Sequence, residues 1–270
     1  MIKPYSFLLI TFLLAFTSFS QLDTLFWFVA PDVLQSHADR PIVFRFASLE
    51  KASVITVSQP ANPSFPTQTI NLAANSSSTL DLTPWINMVE NKPSDTKLNY
   101  GFKIRASEPI TAYYEVNTLF NPEIFALKGT NALGFRFIVP AQNFMNNRAG
   151  ATSGFNIVAT EDNTSITITP TKNIKGHLAN IPFTIILNKG ETYFAEAASL
   201  AGADHLSGSQ IKSNKKIAVT VHDDSVIGTP LGGGCQDLMG DQLIPINLFG
   251  KEYIAIKGYL RNPDRVCLFA

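Results

Sequence analysis

Hydrophobic and polar residues alternate along most of this chain with a period of two. In "GFNIVATEDNTSITITP" (residues 154–170), Phe155, Ile157 and Ala159 share one side and Ile166 and Ile168 repeat the pattern, with Thr167 and Thr169 opposite. A period of two places successive side chains on opposite faces of an extended strand. The intervening Glu161-Asp162-Asn163 reads as the turn of a hairpin, because Asp and Asn tolerate the left-handed conformation and bond their own backbone. Its two carboxylates also raise the question of a cation site. "LNKGETYFAEA" predicts a second hairpin turning at Lys189-Gly190, and "SQIKSNKKIAVTV" a third turning at residues 213–215. Only "DLTPWINMVENKP" looks helical, with Thr83 as N-cap and Pro84 at the first helical position.

The pattern recurs. Phe44, Phe46, Ile55 and Val57 correspond to Phe155, Ile157, Ile166 and Ile168 at a constant spacing of 111 residues. "LFWFVAP" from Leu25 matches "GFRFIVP" from Gly134 at 109, and "LAANSSSTLDL" from Leu72 matches "LNKGETYFAEA" from Leu187 at 115. "KIRASEPITAYY" from Lys103 matches "QIKSNKKIAVTV" from Gln210 at 107, and a third copy begins with "FGKEYIAI" at residues 249–256. Leading strand plus three hairpins predicts about seven strands per unit, hence an all-β chain of tandem β-sandwich units of immunoglobulin-like character, each about 110 residues long. A propeller-like arrangement of the repeats is the alternative. The expected divisions are a signal peptide at 1–20, a first unit at 21–125, a second at 126–245 and the start of a third at 246–270. In the first copy the acidic knot is replaced by Leu49-Glu50-Lys51, so a ligand role common to both units is not expected there.

Charge and composition narrow the function. Lys and Arg balance Asp and Glu at 21 each, which leaves no electrostatic footprint for nucleic acid or an anionic membrane. Lys3, the apolar run "FLLITFLLAF" at residues 7–16, and Ser18 and Ser20 form a secretory signal with a mature start near Gln21. That run is short for a membrane span, and nothing later is longer. The mature protein is therefore expected to be secreted or displayed at the cell surface. Two cysteines, Cys235 and Cys267, are too few for a metal framework; either they pair as a disulfide or each stays free.

Candidate chemistry is sparse. His222-Asp223-Asp224 has the residue types of a metal-binding pair, but His37, His177 and His205 share no motif with it, and it reads as polar residues at a strand end. Adjacent carboxylates on a strand point to opposite faces, so neither Glu161/Asp162 nor Asp223/Asp224 makes an acid–base couple. "GTPLGGGCQD" lacks the Gly-Lys-Ser/Thr of a phosphate loop and reads as a connector that carries candidate contacts Cys235 and Asp237. The helical segment has no equivalent in the second copy. Since an insertion on a repeat falls on the binding face, Trp85, Asn87, Glu90 and Asn91 are the first candidates for ligand contact. Loops at residues 87–97 and 143–153 add further surface. No catalytic residue, metal or cofactor is expected; the partner is an extracellular protein or glycan.

"GFNIVATEDNTSITITP", "LNKGETYFAEA", "SGSQIKSNKKIAVTVHDD" and "CQDLMGDQLIPINLFGKEYIAI", in that order, resemble the N-terminal domain of the IgGFc-binding protein family. That domain occurs in animal mucus-associated proteins and in exported bacterial proteins that carry surface-sorting tails. The cysteine before the family's "EQLP"-like segment corresponds to Cys235, and its acidic residue to Asp241; the histidine of its "CDHL"-like stretch is absent from "CQDL". The resemblance implies export and a recognition role. It does not carry over immunoglobulin binding.

Overall fold

The computed structural model describes residues 21–119, 121–227, 236–252 and 254. The expected signal peptide, Cys235, Cys267 and most of the expected third unit lie outside the described residues. The fold is all-β, with two nearly closed sheets.

Eight strands come from the first half of the chain: β1 (Asp23–Phe28), β2 (Ile42–Ser48), β3 (Ser53–Ser58), β4 (Gln68–Leu72), β5 (Ser77–Asp81), β6 (Lys97–Leu98), β7 (Phe102–Val116) and β8 (Glu123–Ala126). All but β6 form one seven-stranded sheet. Its spine is β7. The first part of β7 pairs with β3 (Val57 opposite Ile104) and the last part with β2 (Phe44 opposite Tyr114). Glu108-Pro109 falls where the partner changes, and there a proline's missing N–H costs no ladder bond. β1 and β8 take the other edge, with Phe26 opposite Ile104 and Phe125 opposite Tyr114. Period-two alternation then sends Phe26, Phe28, Phe44, Phe46, Phe102, Ile104 and Tyr114 into one core.

The second half contributes β9 (Gly134–Ile138), β10 (Asn146–Asn147), β11 (Ser153–Ala159), β12 (Thr164–Thr169), β13 (Phe183–Leu187), β14 (Thr192–Glu196), β15 (Gln210–Ile227) and β16 (Gln236–Gln242). With β6 they form a nine-stranded sheet around β15. Its ladders follow the first sheet position for position: Ile168 lies opposite Ile211, Phe155 opposite Val221 and Phe137 opposite Ile211. The last pair sets the leading strands 111 residues apart, Phe26 to Phe137, rather than 109.

The turns need correction. Asn163 (φ 52°) and Gly190 (φ 84°) adopt the left-handed backbone that their residue types favour. In the acidic knot Asp162 caps the Lys189 N–H at 3.0 Å, so the knot is a turn. Yet the flanking strands do not pair with each other. β11 and β12 lie on different stretches of β15, β13 and β14 are not hydrogen-bonded, and the expected hairpin at residues 213–215 is a bend inside one 18-residue strand. Short polar turns close a hairpin or carry the chain round a corner with the same chemistry, and only the non-local partner distinguishes the two. In the second sheet the described ladders between sequence neighbours are β12 with β13, across residues 170–182, and β15 with β16.

β1 joins the halves. Phe26 and Phe28 enter the first core, while Trp27 and Val29, on the other face, pack against Val158 of β11 and Ala218 of β15. Tyr114 lies at the centre of the first core with no hydrogen-bond partner for its hydroxyl among the described residues. An unpaired buried hydroxyl costs roughly 1–3 kcal/mol. Tyr114→Phe is therefore expected to raise unfolding stability by about 1 kcal/mol in urea titration; a loss of stability would show that the hydroxyl has a partner.

Candidate functional site

Polar residues concentrate where the halves meet, and they are buried. Asn91 and Asn156 are wholly inaccessible, and His222 is 3% exposed. A single chain of hydrogen bonds links them. Thr192 Oγ1 donates to Asn91 Oδ1 (2.7 Å), and Asn91 Nδ2 donates to Asn156 Oδ1 (2.9 Å). Asn156 Nδ2 lies 3.1 Å from His222 Nδ1, and His222 Nε2 lies 2.9 Å from Thr152 Oγ1, which donates to the Asp32 carbonyl at 3.1 Å. An amide nitrogen only donates, so His222 Nδ1 must accept and Nε2 must carry the proton. Every member then donates in one direction, from β14 through residues 91, 156, 222 and 152 to residue 32. The relay requires a neutral imidazole, and burial pushes the His222 pKa down to about 4 against a smaller opposing pull from Asp223.

The two aspartates beside His222 face opposite ways, as strand geometry requires. Asp224 reaches the first half: its carboxylate accepts from the Leu34 N–H (2.7 Å), Asn121 Nδ2 (3.1 Å) and Ser225 Oγ (3.0 Å). Burial raises its pKa, and these bonds oppose the rise. Asp223 faces its own half, accepting from Gln142 Nε2 at 2.7 Å and Asn147 Nδ2 at 2.6 Å, with His205 Nδ1 at 3.1 Å. The triplet is therefore not a strand end. β15 runs five residues past His222, to Ile227, and the triplet is buried.

Beside the relay, Lys92 Nζ bridges Glu90 (2.7 Å) and Asp32 (2.9 Å). Burial raises the Glu90 pKa to about 7 even with that lysine beside it. Lys175 pairs with Glu196 at 2.6 Å, and Ser94 Oγ donates to the same carboxylate. Asp32, Lys92, Ser94, Lys175 and Glu196 line a cleft of about 650 Å³ between the halves, with Glu90 buried behind it.

Of the predicted contact residues, Glu90 and Asn91 come together at this junction, but as interior groups. The Asn91 amide is spent on Asn156 and Thr192. Just beyond them in sequence, β6 pairs with β14, which weaves the inserted segment into the second sheet. Trp85 packs edge-on against Phe65 (5.4 Å) and Asn87 is exposed. Asp237 is exposed on β16 opposite Val226. Cys235 and any disulfide to Cys267 lie outside the described residues. Sequence reasoning missed Asn156, Thr152, Asn147 and Gln142. The available signal was Asn156 inside "GFNIVA", a polar residue in a strand whose two faces are otherwise apolar. Among the described residues no group of three or more His, Cys, Asp or Glu could hold a metal ion.

The chain is thus an all-β protein of two similarly ordered sheets clamped through a buried polar seam. The IgGFc binding protein family matches residues 125–267, and the chain belongs to that family. No curated protein and no solved structure matches it. The matched region includes the "GDQLIP" segment, where Gln242 ties the halves: its Nε2 donates to the Trp27 carbonyl (2.7 Å) and its Oε1 accepts the Lys128 N–H (2.8 Å).

The relay predicts an acid response. The folded His222 stays neutral down to about pH 4, whereas the unfolded one protonates near 6.5, so the unfolded chain binds more protons in that window. Stability contributed by His222 is present above pH 6.5 and falls by about 3 kcal/mol as the pH drops to 4. Glu90 acts with the opposite sign, its contribution being present below 4.5 and lost as the pH rises through about 7. Comparison with His222→Gln isolates the first effect: urea titrations from pH 4 to 6.5 should show a flatter stability profile in the variant, and parallel profiles would contradict it.

Proposed function

We propose that this chain is a non-catalytic recognition module of a secreted or surface-displayed protein, built from two copies of one immunoglobulin-like β unit. Family membership carries the reading: it is a family of extracellular binding proteins, and the match covers β9 to β16, which make up all of the second sheet but β6. The chemistry of the seam supports it. Thr152 and His222 have the types of a nucleophile and its base, but the imidazole nitrogen facing the hydroxyl already holds a proton and the hydroxyl donates elsewhere. These groups hold the halves in place. No described helix is long and apolar enough to cross a membrane.

The contact surface we assign is the cleft lined by Asp32, Lys92, Ser94, Lys175 and Glu196, whose near-balanced charge suits a protein or glycan partner over a polyanion. The secreted chain, screened against immunoglobulin Fc, mucins and a glycan array, should give saturable binding to at least one. Lys175→Glu should weaken that binding about tenfold, since Lys175 is exposed and its reversal places three carboxylates in the cleft. A blank screen on folded protein, or turnover of a glycan or peptide, would overturn the reading.

A further inference from the structure

The two sheets share one ladder but not one filling. In the first half, Phe28, Tyr114 and Phe125 form a mutual triad, with ring centroids 5.0 Å (Phe28–Tyr114), 6.2 Å (Phe28–Phe125) and 5.8 Å (Tyr114–Phe125) apart. The register identifies their counterparts. Phe26 and Phe137 hold the same position opposite Ile104 and Ile211, so two residues on Phe28 corresponds to Val139. Tyr114 lies opposite Phe44 and Phe125, as Val221 lies opposite Phe155 and Asp241. The second half thus has Val139, Val221 and Asp241 where the first has three rings.

Those three residues line one cavity of about 260 Å³. Cavities of roughly 150 Å³ with apolar walls already take up benzene. Leu206 and Met239 complete the apolar walls, and Ser153, His205 and Asp223 supply polar lining. A carboxylate offers about four acceptor sites, and Gln142 Nε2 and Asn147 Nδ2 fill two at Asp223. His205 Nε2 meets Asn147 Oδ1 at 2.7 Å and its Nδ1 faces the Gln142 amide nitrogen at 2.9 Å, so this ring supplies no bond to Asp223. Acceptor capacity is left for a ligand that brings a donor. The space is thus shaped by the absence of rings and includes a spare hydrogen-bond acceptor.

We propose that this cavity is a binding pocket for a tyrosine or tryptophan ring presented by a partner protein. The chemistry is the one the first half uses on itself: a ring fills the apolar space, and the phenol or indole donor meets the Asp223 carboxylate. This deepens the recognition reading above and rests on it for the identity of the partner as a protein.

The test needs no partner. p-Cresol and indole, titrated into the full secreted chain and followed by calorimetry and by shifts of the Val139 and Val221 methyl resonances, should bind saturably. Toluene, which has the ring without the donor, should bind about tenfold more weakly. Val139→Phe and Val221→Tyr each restore the first half's residue, and both should fold with unchanged or higher thermal midpoints and lose p-cresol binding at least tenfold. Absence of saturation with wild-type protein, or binding that survives both substitutions, would overturn the pocket. If p-cresol binds in this way while the macromolecular screen is blank, the recognition reading fails and the ring pocket stands. If the screen succeeds and p-cresol does not bind, recognition stands and this pocket is not its site.

Discussion

The arrangement depends on one neutral histidine. His222 sits midway along a relay that begins on β14, enters the first half at Asn91, returns at Asn156 and ends on the Asp32 carbonyl. Thr192, Asn91, Asn156 and His222 are buried there, with Thr152 and Asp32 half-buried at the end of the relay, and a buried polar group without a partner costs more than a satisfied one contributes. The relay is therefore a condition on how the halves sit: moving one against the other would orphan several groups at once. Asp224 and Gln242 make the same demand, each binding backbone groups of the first half from strands of the second. Apolar contact between Trp27, Val29, Val158 and Ala218 adds area at this junction without orientation.

Within that clamp the two halves have diverged by position. β7 and β15 each change partners midway, at Glu108-Pro109 in one and near residues 214–216 in the other, so each draws its sheet towards closure. The inner faces differ. The first half is filled by interlocking rings, whereas β15 replaces Tyr114 with Val221 and then turns polar at His222. The first half is the better-filled body, and the second bears both the polar face of the seam and the cavity.

Much of the strand content was legible because strands such as β3 and β12 keep a period of two, and Phe155, Ile157, Ile166 and Ile168 are all buried, as their alternation requires, although β11 and β14 are buried on both faces. Pairing was not legible. The bend at residues 213–215 has the Ser, Asn and Lys of a turn, and only β9 and β12 flanking β15 show that the strand continues through it. The site was partly legible. Glu90 and Asn91 stood out as members of an insertion, but an insertion looks the same whether it meets solvent or, as here, a neighbouring sheet through β6. His222 reads as a strand-end residue because the 107-residue spacing of this strand places it on Glu115, near the end of β7, whereas β15 runs on to Ile227. Hydrogen-bond partners 65 and 101 residues apart, as Asn91 is from Asn156 and Thr192, leave no local trace.

The most direct test of this account is the tautomer of His222, read from its ring nitrogen resonances in labelled protein at pH 6. The relay predicts a neutral ring with the proton on Nε2, an unprotonated Nδ1, and an Nε2 proton that exchanges slowly with solvent. An imidazolium at that pH, or a proton on Nδ1, would contradict the relay and with it the clamp that orients the two halves.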